Sequence, residues 1–164
     1  MIRLFELIFS LLILLFLLIP LIILLIIIKL SSDGSVIHWS KRIGQKNSIF
    51  LMPKFRTMAE NTPDVATHLL KDPDQYLTRI GKFLRKYSLD EIPQLYSILL
   101  GKMTFVGPRP ALFNQKDLID LRTKLGIHNL KPGITGWAQI NGRDNLTIKQ
   151  KVDYDFYYYK NKNI

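Results

Sequence analysis

The residues best suited to chemistry fall in a few short stretches. The first is Ser88-Leu89-Asp90-Glu91-Ile92-Pro93-Gln94-Leu95. Ser88 and Glu91 have the spacing of a capping box, and acids favour the first turn of a helix, so a local structural role accounts for them. Pro93 strains that account. With Ser88 as the N-cap, Pro93 falls at the fifth helical position, whose N–H already donates within the helix. With Asp90 as the N-cap it falls at the third, where that donor is an orphan. The helix then opens on the carboxylates of Asp90 and Glu91. Such a pair suits a divalent cation or a nucleophile, beside N–H groups that suit phosphate oxygens.

Three further stretches offer cations and an aromatic face. In Val106-Gly107-Pro108-Arg109-Pro110 two prolines fix the backbone around one arginine. That is either a rigid loop with a solvated side chain or a mount for bidentate phosphate recognition. In Pro132-Gly133-Ile134-Thr135-Gly136-Trp137-Ala138-Gln139-Ile140-Asn141-Gly142-Arg143 the glycines let backbone approach a ligand. There Trp137 offers a face for a base, or packs into a core, and Arg143 adds charge. It is neither a Walker A loop nor a dinucleotide fingerprint. In Met52-Pro53-Lys54-Phe55-Arg56-Thr57-Met58 the cations read equally as a solvated face. His38, His68 and His128 lack metal-ligand spacing and read as structural.

These stretches need elements to hold them. Val36–Trp39 and Ser48–Met52 read as strands of a hairpin around a basic turn, with Pro53 at the end of the second. Residues 63–76 read as a short helix or loop. Helical spacing marks Leu77–Tyr87, a helix from Leu95 closed by Gly101, residues 114–125 closed by Gly126, and residues 146–160. Residues 132–142 read as a loop. The fold class is α+β, mostly helical, with a small β-hairpin.

Leu7–Ile28 carries no charge and is almost wholly Leu, Ile and Phe. Its 22 residues would make roughly 33 Å of helix, enough for a hydrocarbon core of about 30 Å. The run is longer than a signal peptide's apolar region and no small-residue cleavage site follows it, which makes a cleaved signal peptide a poor reading. Pro20 interrupts the run. Two forms satisfy it: a kinked span, or a helix that breaks and returns to the same leaflet. Lys29, Lys41, Arg42 and Lys46 follow the run, which puts the remainder on the cytoplasmic side. Two domains follow, residues 1–30 in the membrane and residues 31–164 outside it.

The net charge is +10. Residues 1–30 hold two of the basic and one of the acidic residues, leaving +9 for the rest. A basic domain at a membrane suits anionic lipid, phosphate-bearing substrates or nucleic acid. The basic residues are spread rather than striped, and no nucleic-acid signature is present, so no nucleic-acid partner is expected. The absence of cysteine removes disulfides and thiolate metal sites.

In this order the motifs closely resemble the bacterial sugar transferases known as monotopic phosphoglycosyl transferases. The resemblance covers nearly the whole chain. It is carried by Asp33-Gly34-Ser35-Val36, Arg42-Ile43-Gly44, Lys54-Phe55-Arg56-Thr57-Met58, Leu84 to Leu95, Val106 to Pro110 and Pro132 to Arg143. It implies transfer of a sugar-1-phosphate from a UDP-sugar to polyprenol (undecaprenyl) phosphate, the first membrane step of glycoconjugate assembly. Asp90 would be the nucleophile of a ping-pong reaction, and Glu91 its metal or acid–base partner. Mg²⁺ would be the cofactor, held by Asp90 and Glu91. Arg85 and Arg109 match phosphate-handling positions, Lys54 a substrate-binding one, and Trp137 and Arg143 lie in the loop that meets the nucleotide.

The resemblance also implies a re-entrant membrane helix broken at Pro20 and amphipathic helices at the membrane interface. It places a monotopic enzyme on the cytoplasmic face of the inner membrane, in contact with membrane lipid and feeding downstream glycosyltransferases. Many members have Ser before the membrane proline, where this chain has Ile19, and continue beyond the aromatic helix, where this chain ends at Ile164. A rival reading is a membrane-tethered nucleic-acid- or partner-binding module without catalysis. The Asp90-Glu91 pair argues against it.

Overall fold

A computed structural model describes residues 2–31, 33–59, 62 and 72–162. The apolar run forms two helices, α1 (Ile2–Phe16) and α2 (Leu18–Ser31), bent by 63°. The bend falls at Leu17, and Pro20 is the third residue of α2. A proline lacks the N–H that would reach the carbonyl four residues back, here Phe16, and its ring pushes that carbonyl away. At about 1.5 Å per residue each arm is roughly 21–22 Å long. Among the described residues no single helix is long and apolar enough to cross a membrane, while the bent pair passes by length and composition.

Next come β1 (Ile37–Ile43) and β2 (Ile49–Phe55), paired as an antiparallel hairpin. Lys46 and Asn47 turn it with left-handed backbones, φ 54° and 58°. The strands run further than the stretches Val36–Trp39 and Ser48–Met52 implied. Pro53 lies inside β2 rather than at its end, which a two-stranded sheet tolerates because each strand has a free edge.

The chain divides into two compact units, Met1–Ser40 with Met52–Tyr96, and Lys41–Leu51 with Ser97–Ile164. In the first unit, Ile28, Phe55 and Leu84 form a core joined by Leu21, Leu24, Ile80 and Leu89. Burying a side chain such as Leu84 contributes about 1.5–3 kcal/mol. That core joins α2 to α3 (Arg79–Lys86). Thr78 caps α3, its hydroxyl accepting from the Gly81 N–H at 2.9 Å. A Cβ on Gly81 would collide with the Thr57 carbonyl, so glycine lets α3 press against the chain leaving β2. Of residues 63–76, Pro73–Tyr76 is a 3₁₀ turn; residues 63–71, with Pro63 and His68, lie outside the described residues.

The segment Leu89–Gln94 is a 3₁₀ turn that leads into α4 (Leu95–Leu99). The expected capping box does not form. Ser88 takes a left-handed backbone, φ 55°, and makes no side-chain cap bond. The tighter 3₁₀ path accommodates Pro93, so neither Ser88 nor Asp90 opens a regular α-helix.

The second unit holds β3 (Thr104–Val106), α5 (Lys116–Lys124), β4 (Gly133–Thr135), α6 (Trp137–Ile140) and α7 (Ile148–Asn161). Ala111, Leu118, Ile127, Leu130 and Val152 make its core. A capping box between Thr147 and Gln150 starts α7. The stretch 132–142, expected to be a loop, contains β4 and α6. β3 and β4 pair in parallel, Thr104 opposite Gly133 and Val106 opposite Thr135. Three-residue strands carry no periodicity that a sequence could display.

Candidate active site

Asp90 and Glu91 sit in the 3₁₀ turn Leu89–Gln94 and are both buried. The left-handed residue Ser88 turns the chain into them. Such a conformation costs of order 1–3 kcal/mol and persists where the surroundings enforce it. From β2, Lys54 reaches the pair. Its Nζ donates to Glu91 Oε1 at 3.1 Å and lies 3.9 Å from Asp90 Oδ2. The Lys54 side chain is only 16% exposed, so it is not the solvated cation its neighbourhood suggested.

Burial pushes the Asp90 carboxyl above its ordinary range. The Lys54 charge opposes that shift, Glu91 adds to it, and Arg85 and the Asp90 N–H oppose it more weakly. Asp90 is thus a poorly solvated carboxyl with the charges of Lys54 and Arg85 acting on it. Arg85, in the last turn of α3, donates from Nε to the Thr57 hydroxyl at 2.9 Å. The first unit thus brings together Lys54, Arg85, Asp90 and Glu91.

Two adjacent carboxylates suit Mg²⁺, which takes one or two from a protein and fills its octahedron with waters and phosphate oxygens. Among the described residues no group of three or more His, Cys, Asp or Glu side chains could hold an ion without such help.

Arg109, Trp137 and Arg143 belong to the second unit. Four carbonyls hold the loop around Arg109 in place. Val106 accepts from the Tyr158 hydroxyl at 3.1 Å and Pro108 from the Gly133 N–H at 2.9 Å. Arg109 accepts from Arg122 Nη1 at 2.8 Å and Pro110 from Arg42 Nη1 at 3.3 Å. A Cβ on Gly107 or Gly133 would strike the opposing backbone, so glycine is required at that crossing.

Arg122 also donates from Nε and Nη2 to one oxygen of Asp155, at 3.0 and 2.5 Å. Asp155 is 1% exposed, and burial pushes its carboxyl up against the pull of Arg122 and Lys151. Arg122 and Asp155 were missed in the sequence, where each reads as one charge on the polar face of a helix. Trp137 is not packed into a core. It is partly exposed and stacks on Tyr157, centroids 5.6 Å apart and planes 23° from parallel. Arg143 is exposed, in a 3₁₀ turn with a left-handed backbone, φ 51°.

Known proteins are similar in sequence to this chain. The chain is 37% identical over 140 residues to the UDP-N-acetylgalactosamine-undecaprenyl-phosphate N-acetylgalactosaminephosphotransferase of Aeromonas hydrophila, covering 82% of this chain and 33% of that protein. It is 38% identical over 138 residues to the UDP-glucose:undecaprenyl-phosphate glucose-1-phosphate transferase of Escherichia coli, covering 80% of this chain and 30% of that protein. An uncharacterized sugar transferase of Bacillus subtilis is 37% identical over 161 residues, 97% of this chain and 77% of that protein. The chain thus spans about a third of the first two relatives and about three quarters of the third. With all of residues 1–164 matching the bacterial sugar transferase family, the chain belongs to that family.

Proposed function

We propose that this protein transfers a sugar-1-phosphate from a UDP-sugar to undecaprenyl phosphate through a phosphosugar–aspartate intermediate, as the first membrane step of glycoconjugate assembly. The observation that carries this reading is the placement of Asp90, a buried carboxylate with Lys54 and Arg85 as its cations. The activities for which the Aeromonas and Escherichia relatives are named support it.

An Asp90 carboxylate oxygen attacks the β-phosphorus of the UDP-sugar. The bond from that phosphorus to the bridging oxygen breaks, and UMP leaves with the oxygen and its electron pair. A phosphate oxygen of the lipid then attacks the same phosphorus. The bond to Asp90 breaks, giving polyprenol-diphosphate-sugar and the free carboxylate. Dividing one displacement into two lets the soluble and lipid substrates react in turn.

Lys54 holds Glu91, and its charge favours the ionised form of Asp90. Arg85 and Arg109 bind phosphate oxygens, for which a planar guanidinium is better matched than an ammonium. Trp137 offers its exposed face to the uracil, and Arg143 adds charge at the nucleotide. Asp90 and Glu91 would hold Mg²⁺, which when bound would offset the charge of the diphosphate.

Residues 1–30 form the membrane segment and residues 31–164 the catalytic part. The bent pair enters and leaves one leaflet, and the enzyme lies on the cytoplasmic face of the inner membrane. α3 lies at the interface: the exposed rings of its Phe83 and of Tyr87, the residue that follows it, pack 5.0 Å apart, with Lys86 over Tyr87. Downstream glycosyltransferases would consume the product. The test is Mg²⁺-dependent UMP release over a panel including UDP-N-acetylgalactosamine and UDP-glucose, with undecaprenyl phosphate. Release from at least one donor with lipid-linked product supports the reading. No release from any of them contradicts it.

A further inference from the structure

Thr57 occupies a position that the reaction above does not explain. It directly follows the cation-bearing stretch Lys54-Phe55-Arg56, is buried, and is tied to α3 by both its backbone and its side chain. Its carbonyl accepts from the Thr78 N–H at 3.0 Å and from the Thr78 hydroxyl at 3.3 Å. Thr78 is the residue that caps α3. The same carbonyl faces Gly81, where any side chain would collide with it. The first turn of α3 is therefore fixed on Thr57. Two turns on, the helix delivers Arg85 back to the same residue, where Nε donates to Thr57 Oγ1 at 2.9 Å.

We propose that Thr57 is a positioning residue for Arg85: its backbone sets the helix and its hydroxyl orients the guanidinium toward phosphate. This rests on the phosphate role of Arg85. An arginine has several rotatable bonds and binds a phosphate well only when its planar fork is presented in a fixed orientation. Engaging Nε fixes the plane of the guanidinium and leaves its outer nitrogens to face other groups. A hydroxyl does this without adding charge. A carboxylate in the same place would compete with the phosphate for the cation. Arg85 also lies close enough to Asp90 to lower its pKa, so the oriented cation belongs to the surroundings of the nucleophile.

The test reads the guanidinium directly, in ¹⁵N-labelled full-length protein in lipid nanodiscs. The Arg85 Nε–Hε signal is assigned by its loss in Arg85→Lys. In Thr57→Val, which keeps the shape and removes the oxygen, that signal should move and its exchange with water should accelerate about tenfold or more, as expected for loss of a hydrogen bond to a charged group. Thr57→Ser should restore it. UMP release should fall about tenfold in Thr57→Val, recover in Thr57→Ser, and change less than about twofold when Thr57→Val is added to Arg85→Ala, because a residue acting through Arg85 has nothing left to orient. A merely structural threonine would instead lower the melting temperature and multiply with the loss in Arg85→Ala. An unmoved Arg85 signal in Thr57→Val would overturn the proposal while leaving Arg85 in its role. Wild-type UMP release in Arg85→Ala would overturn the role of Arg85 itself.

Discussion

Lys54 Nζ stands 3.1 Å from Glu91 Oε1 and 3.9 Å from Asp90 Oδ2. One ammonium thus serves two adjacent buried carboxylates. Burial raises the Asp90 pKa and Lys54 is the largest opposing influence. A nucleophilic Asp90 must be ionised, so activity should fall on the acid side at a pH above the ordinary carboxylate range. Lys54→Met should move that acid limb further up and lower UMP release at neutral pH by about tenfold or more. An acid limb that stays in place in Lys54→Met would contradict the assignment.

Asp90→Asn should stabilise the fold while abolishing turnover. A carboxyl whose folded pKa lies above its unfolded value contributes stability at low pH and loses it as pH rises through the folded pKa. At neutral pH the ionised Asp90 therefore costs the folded state free energy, and an uncharged amide of the same shape removes that cost. The melting temperature of Asp90→Asn should exceed that of the wild type at pH 7, with the difference shrinking toward pH 4. A lower melting temperature at pH 7 would show that Asp90 is needed for structure.

The Arg122–Asp155 pair should separate stability from activity. Asp155→Ala leaves a buried guanidinium without its partner and should cost about 3–5 kcal/mol. Replacing both residues together, Arg122→Met with Asp155→Leu, should recover most of that stability. It also removes the donor that holds the Arg109 carbonyl at 2.8 Å, so UMP release should remain low. Full activity in the double variant would mean that the loop keeps its shape without Arg122.

Much of this arrangement was legible because it leaves local marks. The hairpin was visible in two short apolar stretches around a basic turn, α3 and α5 in their amphipathic helical pattern with Gly126 closing the second, and α7 in its run of Tyr, Phe and Lys. The parallel pairing of Thr104–Val106 with Gly133–Thr135 was not legible, since three residues carry no period and a parallel partner can lie anywhere in the chain. The 3₁₀ path through Asp90 also went unseen, because Ser88 and Glu91 carry the spacing of a cap that Ser88 does not form. Lys54 resembled a solvated cation until its carboxylate partners, 36 and 37 residues later in the chain, were placed beside it. Arg122 and Asp155 lie on separate helices, and nothing in the sequence around either announces the other.

The bent helix pair makes a statement about sidedness. If α1 and α2 enter and leave by one leaflet, the N-terminus lies on the side of the catalytic residues. The chain has no cysteine, so a single Ile2→Cys can be labelled with a membrane-impermeant thiol reagent without background. Labelling should occur only after the cells are permeabilised. Labelling in intact cells, at the level of a periplasmic control, would mean that the segment spans. Pro20→Leu restores a backbone donor for the Phe16 carbonyl and should shift part of the population toward that spanning state.

The most direct measurement is the intact mass of the protein incubated with a competent UDP-sugar and Mg²⁺ in the absence of lipid phosphate. A mass increase equal to one phosphosugar should appear with UMP in equal amount, map to Asp90 on digestion, and disappear when undecaprenyl phosphate is added. Asp90→Asn should show no increase. Lipid-linked product formed with no adduct at any time, or an adduct mapped to another residue, would contradict a covalent mechanism at Asp90.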